Sequence, residues 1–211
     1  LLTRTFASYG VEHLKPAVAY VILTVALLLI FLIIGYPAFI AIFAHLDPFK
    51  FAKKITRVAV FGFSTSSSAA TLPLNVKTTV EELGVDEKIA SFVLPLGMTI
   101  NMNGTAIMQV IATLFIAGCA GYSISFTQLV VIALLALIAS AGTPAAPGSG
   151  AIILFTILSG LGYVNDAAML AYSLILAINR PIEMLVTALN VVGDSATSIY
   201  VAKSEGVLNE D

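Results

Sequence analysis

The chain has 211 residues, of which 59% are hydrophobic and only 10% are charged, and its formal net charge is −2. Soluble domains carry about 25% charged residues, so this composition excludes an ordinary soluble domain and indicates an integral membrane protein. The sequence shows no basic patch for nucleic acid, and its single cysteine, Cys119, excludes a disulfide within the chain.

The N-terminal region predicts one membrane span. Residues 1–15 carry charged side chains and are interpreted as the end of a preceding helix and an external loop, with earlier helices upstream. Residues 16–46 contain no acidic or basic side chain except His45, and at about 1.5 Å per residue they are long enough to cross a bilayer once. A basic cluster typical of a cytoplasmic edge follows: Lys50, Lys53, Lys54 and Arg57.

Residues 51–82 are predicted to form a first re-entrant hairpin, called hairpin one. Its apolar run, residues 58–63, is too short to cross a bilayer and leads into small polar residues at 64–71. Charged residues return from Lys77 onward. Because charge stands on both sides of one short apolar dip, both ends of the hairpin are expected on the same side of the membrane. A close helix contact of small residues is the alternative for this serine-rich dip.

Residues 88–119 are predicted to form a span that is broken in its middle by residues 101–105 (Asn-Met-Asn-Gly-Thr). Such a break frees backbone carbonyls and is tolerated at membrane depth only where it lines a cavity or a protein interface. Residues 127–164 are predicted to form hairpin two, whose tip at 142–150 contains two prolines and three glycines. The final span is predicted at 167–204.

The distribution of basic residues predicts the orientation of the chain. With both hairpins re-entrant, seven Lys and Arg residues fall on one side of the membrane and two on the other. Because loops on the cytoplasmic side carry the excess of basic residues, this count places the C-terminus in the cytoplasm. An Asn-x-x-Gly motif begins at Asn101, after hairpin one, and again at Asn190, after hairpin two, so each hairpin is expected to be followed by a span that polar residues interrupt. We therefore predict an all-α membrane protein built as an inverted repeat of re-entrant helical hairpins and broken transmembrane helices, as in secondary transporters.

Polar side chains on the final span indicate a site inside the membrane. Glu183, Thr187, Asn190 and Asp194 follow one another at spacings of four, three and four residues, which places them on one face of a helix. An ionised group at mid-bilayer depth costs roughly 2.5–3.5 kcal/mol, so two carboxylates there require a partner, an ion or a wet cavity. Arg180 lies one turn before Glu183, which leaves open a structural ion pair between the two.

The oxygen-rich groups of the hairpin tips, the break and the final span are hard ligands, which suit a small cation such as Na⁺. Helix N-termini at the tips suit a substrate carboxylate. Re-entrant loops also build selectivity filters, so an ion channel remains an alternative. An intramembrane protease would need a second intramembrane aspartate or a base beside the serines, and the sequence offers neither, so we expect no enzyme activity.

Four segments resemble one known family, the dicarboxylate/amino acid:cation symporters, which includes glutamate transporters and neutral amino acid exchangers. The segments are STSSSAATLP (64–73), LPLGMTINMNGTA (94–106), SAGTPAAPGSGAI (140–152) and LNVVGDSATS (189–198). The resemblance implies an elevator-type transporter in the cell membrane, with residues 16–211 as its moving transport domain and hairpin two as the external gate. It also implies a homotrimer assembled through an N-terminal scaffold and in contact with membrane lipid.

Position by position, the resemblance implies two sodium sites and a substrate site. Gly97, Asn101, Asn190 and Asp194 match the first sodium site, and Thr99, Ser140 and Thr143 match the second. The matching substrate contacts are Ser66, Ser68, Thr105, Ala146, Gly148, Thr187 and Asn190. By this resemblance Asn190 holds the substrate's α-carboxylate and Glu183 its α-amino group. No cofactor is expected apart from the coupling ion.

Three positions depart from the pattern of the family. Val186 stands where carriers of acidic amino acids have an arginine, Asn103 replaces an aspartate of a third cation site, and Glu183 is one methylene longer than the family's aspartate. A buried carboxylate without a partner is strongly disfavoured. We therefore expect a symporter for a neutral or polar amino acid, driven by Na⁺, with H⁺ as the alternative ion. The alternative substrates are glutamate, aspartate and C4-dicarboxylates.

Overall fold

The computed structural model of the protein describes residues 14–209, and this part of the chain is helical, without a β-sheet. Its only strand-like contact among the described residues is an isolated antiparallel bridge between Val85 and Leu208. The all-α prediction is therefore confirmed for residues 14–209. The interpretation of residues 1–15 lies outside the described residues except at its last two positions, where the first helix begins.

The first span is one long helix with two irregular turns. Helix α1 (Leu14–Ile30) continues through a π-helical turn (Phe31–Gly35), the short α2 (Tyr36–Phe39) and a second π-helical turn (Ile40–Ala44). Pro37 lies in the first turn of α2. Because proline has no backbone N–H to donate, the regular hydrogen-bond pattern shifts around it, and wider turns result.

Hairpin one consists of α3 (Pro48–Thr65) and α4 (Ser68–Glu81), which meet at a two-residue turn. Ser66 makes the turn in a left-handed conformation with a φ of 51°. Ser67 then caps α4, because its hydroxyl accepts a hydrogen bond from the backbone N–H of Ala70. The serine-rich dip is thus a helix–turn–helix with its polar residues at the tip.

The predicted broken span consists of α5 (Glu87–Ile100) and α6 (Asn103–Cys119). Only Asn101 and Met102 lie outside the helices, so the break is narrower than the five residues expected from the sequence. The difference arises because α6 already begins at Asn103, and the following glycine and threonine belong to its first turn.

Hairpin two consists of α7 (Phe126–Ala141) and α8 (Ser149–Leu161). A capping box of Ser125 and Gln128 begins α7 by satisfying two backbone N–H groups at the helix start. The tip between the helices ends at Gly148, whose φ of 84° is a left-handed conformation that glycine adopts at little cost. No side chain of the tip itself caps the N-terminus of α8.

The final span is predicted as one element at 167–204, and the structure differs from that prediction. It forms two helices, α9 (Asp166–Ile178) and α10 (Arg180–Ser204), with Asn179 between them. The interruption lies just before Pro181, which cannot donate a backbone hydrogen bond. The expected interruption at the second Asn-x-x-Gly motif is wrong, since Asn190 lies inside continuous α10. A polar motif alone leaves the helical backbone bonds intact.

Helix α10 forms the centre of the described domain. Its side chains are almost all buried between Val186 and Ala196, and it packs against α3, α4, α5 and α6. Within residues 14–209, three helical stretches are long and apolar enough to cross a membrane: Pro16–Ala44, Glu87–Cys119 and Arg180–Ser204. The first of them exposes most of its apolar side chains, whereas the last is mostly buried inside the protein. The four residues of the predicted polar face of α10 are buried and therefore face protein: Glu183, Thr187, Asn190 and Asp194.

Candidate functional site

The tips of the two hairpins touch each other. The hydroxyl of Ser67 in hairpin one donates a hydrogen bond to the backbone carbonyl of Ala145 in hairpin two at 2.9 Å, and the N–H of Ala69 reaches the same carbonyl at 3.4 Å. These residues are 78 and 76 positions apart in the chain (145 − 67 and 145 − 69). One carbonyl oxygen thus joins the two hairpins at their apices.

A small cavity lies where the hairpin tips, the start of α6 and the middle of α10 meet. Its volume is about 30 Å³, room for about two water molecules. All nine residues expected to contact substrate line this one cavity. They are Ser66, Ser68, Thr105, Ala146, Gly148, Glu183, Val186, Thr187 and Asn190. The structure therefore brings together side chains from four separate segments, while their role in binding stays a prediction.

Sequence reasoning missed two methionines, Met102 and Met108, whose thioether side chains line the same cavity. Ser149 and Gly150, from the tip of hairpin two that was expected at the site, line it at the start of α8. Thr143, expected at a cation site, also lines the cavity. Methionine in an apolar stretch resembles ordinary core, so nothing in the sequence distinguished these two from other buried methionines.

Asn190 fixes the start of α6 against α10. Its side-chain oxygen accepts a hydrogen bond from the backbone N–H of Gly104 at 2.8 Å, and its amide nitrogen donates to Thr105 Oγ1 at 3.2 Å. A Cβ at Gly104 would lie 2.9 Å from the backbone oxygen of Val186, so only glycine allows this approach. Asn190, which is expected to hold a substrate carboxylate, thus lines the cavity with its amide held in a fixed orientation.

Asp194 lies one turn further along α10 at the head of a chain of polar groups. The amide nitrogen of Asn101 donates to Asp194 Oδ1 at 2.8 Å, and Asn103 donates to Asn101 Oδ1 at 2.7 Å and to the hydroxyl of Tyr36 at 3.1 Å. Asp194 is 2% exposed, and no Lys or Arg of the described chain pairs with it. This carboxylate is buried, and the amide of Asn101 is its hydrogen-bond partner.

Gly97 belongs to the same cluster. A Cβ at this position would lie 2.6 Å from Asp194 Oδ1, so α5 passes directly beside the carboxylate. Together with Asn190 one turn away on α10, Gly97, Asn101 and Asp194 are the four residues expected at the first sodium site. The structure brings a buried carboxylate, an amide and the broken end of α5 to one place, which suits a hard cation.

The second expected sodium site is not assembled in the same way. Ser140 and Thr143 are buried, and each donates a hydrogen bond to a carbonyl of α7. Thr99 is exposed and donates to the carbonyl of Leu96 in its own helix. No hydrogen bond among the described residues joins Thr99 to Ser140 or Thr143. The role of these three residues stays a prediction.

Glu183 caps hairpin two from a different helix. Its Oε1 accepts a hydrogen bond from the backbone N–H of Ala151 in the first turn of α8 at 3.1 Å. Its Oε2 lies 3.7 Å from Arg180 Nη1, so the ion pair that the sequence left open is present, with Arg180 half-exposed. A carboxylate at a helix N-terminus satisfies a free N–H and is favoured by the helix dipole. Glu183 therefore holds α8 to α10 beside the cavity.

Sequence reasoning missed other polar side chains near the cavity, two of which bind the start of α8. Gln109 donates to the backbone carbonyl of Gly150 at 3.1 Å, and Tyr172 donates to that of Ala151 at 3.1 Å. Asn179, at the interruption before α10, accepts a hydrogen bond from the hydroxyl of Tyr20 at 2.6 Å. Isolated polar residues in apolar stretches were the available signal, but their partners lie far away in the sequence.

Gly193→Ala tests the packing around Asp194. A Cβ at Gly193 would collide with the hydroxyl of Tyr36 and lie 2.8 Å from the amide nitrogen of Asn101. We expect the variant to lose about 1–3 kcal/mol of stability, as overpacked cores do, measured as a lower thermal unfolding midpoint of the purified protein. The control is Gly118→Ala in α6, where no heavy atom lies within 4 Å. Equal midpoints for the two variants would contradict this packing.

Comparison with known proteins identifies the family. A sequence model of the sodium:dicarboxylate symporter family matches residues 1–204. The chain is 32% identical over 192 residues to a putative sodium-dependent excitatory amino acid transporter, glt-4, of Caenorhabditis elegans, covering 91% of this chain and 38% of the relative. It is 34% identical over 176 residues to excitatory amino acid transporter 1 of Rattus norvegicus, covering 83% of this chain and 32% of the relative. It is 36% identical over 162 residues to excitatory amino acid transporter 2 of Homo sapiens, covering 75% of this chain and 28% of the relative.

The chain therefore belongs to the sodium:dicarboxylate symporter family, which confirms the resemblance seen in its motifs. It spans about a third of the length of these relatives, between 28% and 38%. The relatives are named as transporters, in agreement with the expectation that the chain is not an enzyme.

Proposed function

We propose that this chain is the transport domain of a symporter that moves a neutral or polar amino acid across the cell membrane together with Na⁺. The observation that carries the proposal is the cavity between the two hairpin tips and α10. Its lining contains hydroxyls, an amide and backbone groups, and Glu183 is its only ionisable side chain among the described residues. Such a mixture suits a small zwitterion more than an apolar molecule.

The lining favours an amino acid that carries no second negative charge. Asn190 and the hydroxyls of Ser68 and Thr105 offer hydrogen bonds for an α-carboxylate, and Glu183 offers a partner for an α-ammonium group. A side-chain carboxylate would need a cation, and the position of the family's arginine is Val186. Arg180 does not line the cavity and pairs with Glu183. An unpaired buried carboxylate is costly, so an acidic substrate is disfavoured.

The Asp194 cluster supplies the proposed coupling to sodium. A carboxylate that is 2% exposed and whose hydrogen-bond partner is one neutral amide gains from a bound cation. Asn101, which contacts Asp194, begins the break before α6, and Asn190, one turn from Asp194, holds the first turn of α6 at the cavity. A cation that fixes the break therefore favours the arrangement that binds substrate, and by linkage the substrate favours the cation.

The proposed transport cycle requires the hairpin tips to separate. The cavity, at about 30 Å³, has room for about two water molecules, so an amino acid enters only when a hairpin moves. By the family's pattern this is hairpin two, followed by an elevator movement of the whole domain within a homotrimer, with the C-terminus in the cytoplasm. The start of α8, at the tip end of hairpin two, is held by Glu183, Gln109 and Tyr172, and the tip also meets hairpin one through the Ala145 carbonyl.

Ser67→Gly tests the contact between the tips. Glycine removes the hydroxyl that reaches Ala145, yet as an N-cap of α4 it costs only a few tenths of a kcal/mol. The readout is a cysteine at position 146 in the tip of hairpin two (Ala146→Cys, with Cys119→Ser), whose rate of reaction with an added thiol reagent reports how often the tips separate. Because a hydrogen bond contributes about 0.5–1.5 kcal/mol, we expect this thiol to react roughly two to ten times faster in Ser67→Gly than with Ser67 intact. Ser67→Thr keeps the hydroxyl and serves as the control. An unchanged rate in Ser67→Gly would contradict the tip contact as a restraint.

Uptake into proteoliposomes tests the function itself. The whole protein is expected to accumulate a radiolabelled neutral or polar amino acid when a Na⁺ gradient is imposed, and less with a K⁺ or H⁺ gradient. Absence of gradient-driven uptake of any amino acid would contradict the proposal. Uptake that saturates and shows counterflow separates a carrier from the ion channel considered from the sequence.

The second candidate is a symporter for glutamate, aspartate or a C4-dicarboxylate. It is favoured by the relatives, which are named as excitatory amino acid transporters. Arg180, which pairs with Glu183 of the cavity lining, is a cation that would serve such a substrate after releasing its partner. Competition of the uptake by unlabelled glutamate, aspartate and succinate, each compared with serine and alanine, decides between the candidates.

A further inference from the structure

A second cleft lies at the end of the first span, separate from the cavity between the hairpins. Its volume is about 120 Å³. Two lysines of α3, Lys50 and Lys54, line it together with apolar residues from several segments. These apolar residues are Leu46, Phe51, Leu83, Ile199 and Leu208. The cleft therefore combines two ammonium groups, one helical turn apart, with a hydrophobic wall.

The lysines of this cleft have no ionic partner in the described part of the chain. The two ion pairs found there are Lys77–Glu81 and Arg180–Glu183. Asp47 is the only acidic residue in the lining, and its Oδ1 already accepts hydrogen bonds from the first backbone N–H groups of α3. The basic stripe continues along the exposed side of α3 through Lys53 and Arg57.

Acidic residues are close by but line a different cleft. Glu81, Glu82, Asp86 and Glu87 surround the turn between α4 and α5, together with Asn209. None of them lines the cleft of Lys50 and Lys54. With two lysines and one aspartate, the described lining of the lysine cleft carries a net positive charge, which favours an anion.

Exposed apolar and aromatic side chains place this cleft at a membrane surface. Ile42 and Phe43, in the last turn of the first span, are 62% and 54% exposed. The ring of Phe43 meets the ring of Tyr200 at 6.4 Å, and Tyr200 directly follows Ile199 of the cleft wall. Aromatic rings are enriched where a membrane meets water. The lysines follow the end of the apolar helix and so lie at the level of lipid head groups.

We propose that this cleft binds the phosphate of an anionic phospholipid. Lys50 and Lys54 pair with the phosphate oxygens, and the acyl chains lie along the exposed face at Ile42 and Phe43. An anionic lipid is required because a zwitterionic head group carries its own compensating ammonium. The apolar wall and the adjacent exposed span favour a lipid over free phosphate. Because α3 is the first helix of hairpin one, the lipid fixes the end of that hairpin opposite its tip at the membrane surface.

Lipid binding to the purified whole protein tests the proposal. Native mass spectrometry measures how much phosphatidylglycerol and how much phosphatidylcholine the protein retains at equal lipid concentrations. We expect wild type to prefer phosphatidylglycerol, and K50Q/K54Q to lose roughly fivefold in affinity for each lysine removed. The control is K77Q/K88Q, which removes the same charge from two exposed lysines outside the cleft and is expected to bind like wild type.

Further variants and a competition with inorganic phosphate complete the experiment. K50R/K54R keeps the charge and is expected to retain the lipid, and the single variant K54Q is used where the double variant does not fold. A large excess of inorganic phosphate should leave phosphatidylglycerol bound. Equal retention by K50Q/K54Q and wild type, an equal loss in K77Q/K88Q, or displacement of the lipid by inorganic phosphate would each overturn the proposal.

Discussion

Asp194→Asn is expected to lower the apparent affinity of the transporter for Na⁺ by about tenfold or more, with little change in folding. Asparagine has nearly the same shape, and its side-chain oxygen can still accept the hydrogen bond that Asn101 donates to Asp194 Oδ1. What the substitution removes is the negative charge. Interactions with a charged group contribute about 1.5–3 kcal/mol, and about 1.4 kcal/mol corresponds to a factor of ten in affinity.

Two measurements check this prediction. The first is the Na⁺ concentration that gives half-maximal uptake. The second is the rise in the thermal unfolding midpoint that Na⁺ produces in the absence of substrate, since an ion that binds only the folded protein stabilises it. In Asp194→Asn the half-maximal Na⁺ concentration should rise about tenfold or more, and the rise in the unfolding midpoint that Na⁺ produces should become smaller.

Asp166→Asn is the matched control for this prediction. It removes a carboxylate that is exposed in the first turn of α9, away from the cluster around Asp194. It should therefore leave both readouts as in wild type. Unchanged Na⁺ dependence in Asp194→Asn would remove Asp194 from the proposed cation site.

Val186→Arg is expected to shift the substrate preference toward glutamate and aspartate by about tenfold or more, since hydrogen bonds to a buried charge contribute about 1.5–3 kcal/mol. Val186 lines the cavity and is 5% exposed, so a guanidinium there faces the bound substrate. Glu183 lies one turn earlier on α10 and competes for the new cation, but it already has Arg180 and the N–H of Ala151 as partners.

Competition assays on uptake measure the shift, with unlabelled glutamate and aspartate compared against alanine and serine. Val186→Met is the matched control, because it adds length to the side chain without charge. If the methionine variant reproduces the shift, volume and not charge is responsible. No shift in the arginine variant would contradict the assignment of this position to the substrate's side chain.

The class of the protein was already decided by the sequence. A chain that is 59% hydrophobic and 10% charged cannot form an ordinary soluble surface, and the helices found at 14–209 agree with that conclusion. The two hairpin tips were predictable because prolines, glycines and serines interrupt a helix wherever they cluster. The nine expected substrate contacts came from motifs of the family, and they line one cavity.

The interruption of the final span shows where pattern reasoning failed. Asn190 and Gly193 repeat a motif that marks a real break at Asn101, yet they lie in continuous helix. The interruption lies at Asn179, before Pro181, where a backbone N–H is missing. Polar side chains predict a site more reliably than they predict a change of backbone, since a helix keeps its own hydrogen bonds whatever its side chains face.

By itself, then, the amino-acid sequence determined the membrane class, the hairpins, the family and the list of polar residues on α10. Only the tertiary structure decided which partners these residues have. Glu183 caps a helix 32 positions away, Asn101 reaches Asp194 across 93 positions, and Tyr36 of the first span joins the same cluster. Contacts over such separations depend on how whole helices pack, which no local pattern of residues encodes.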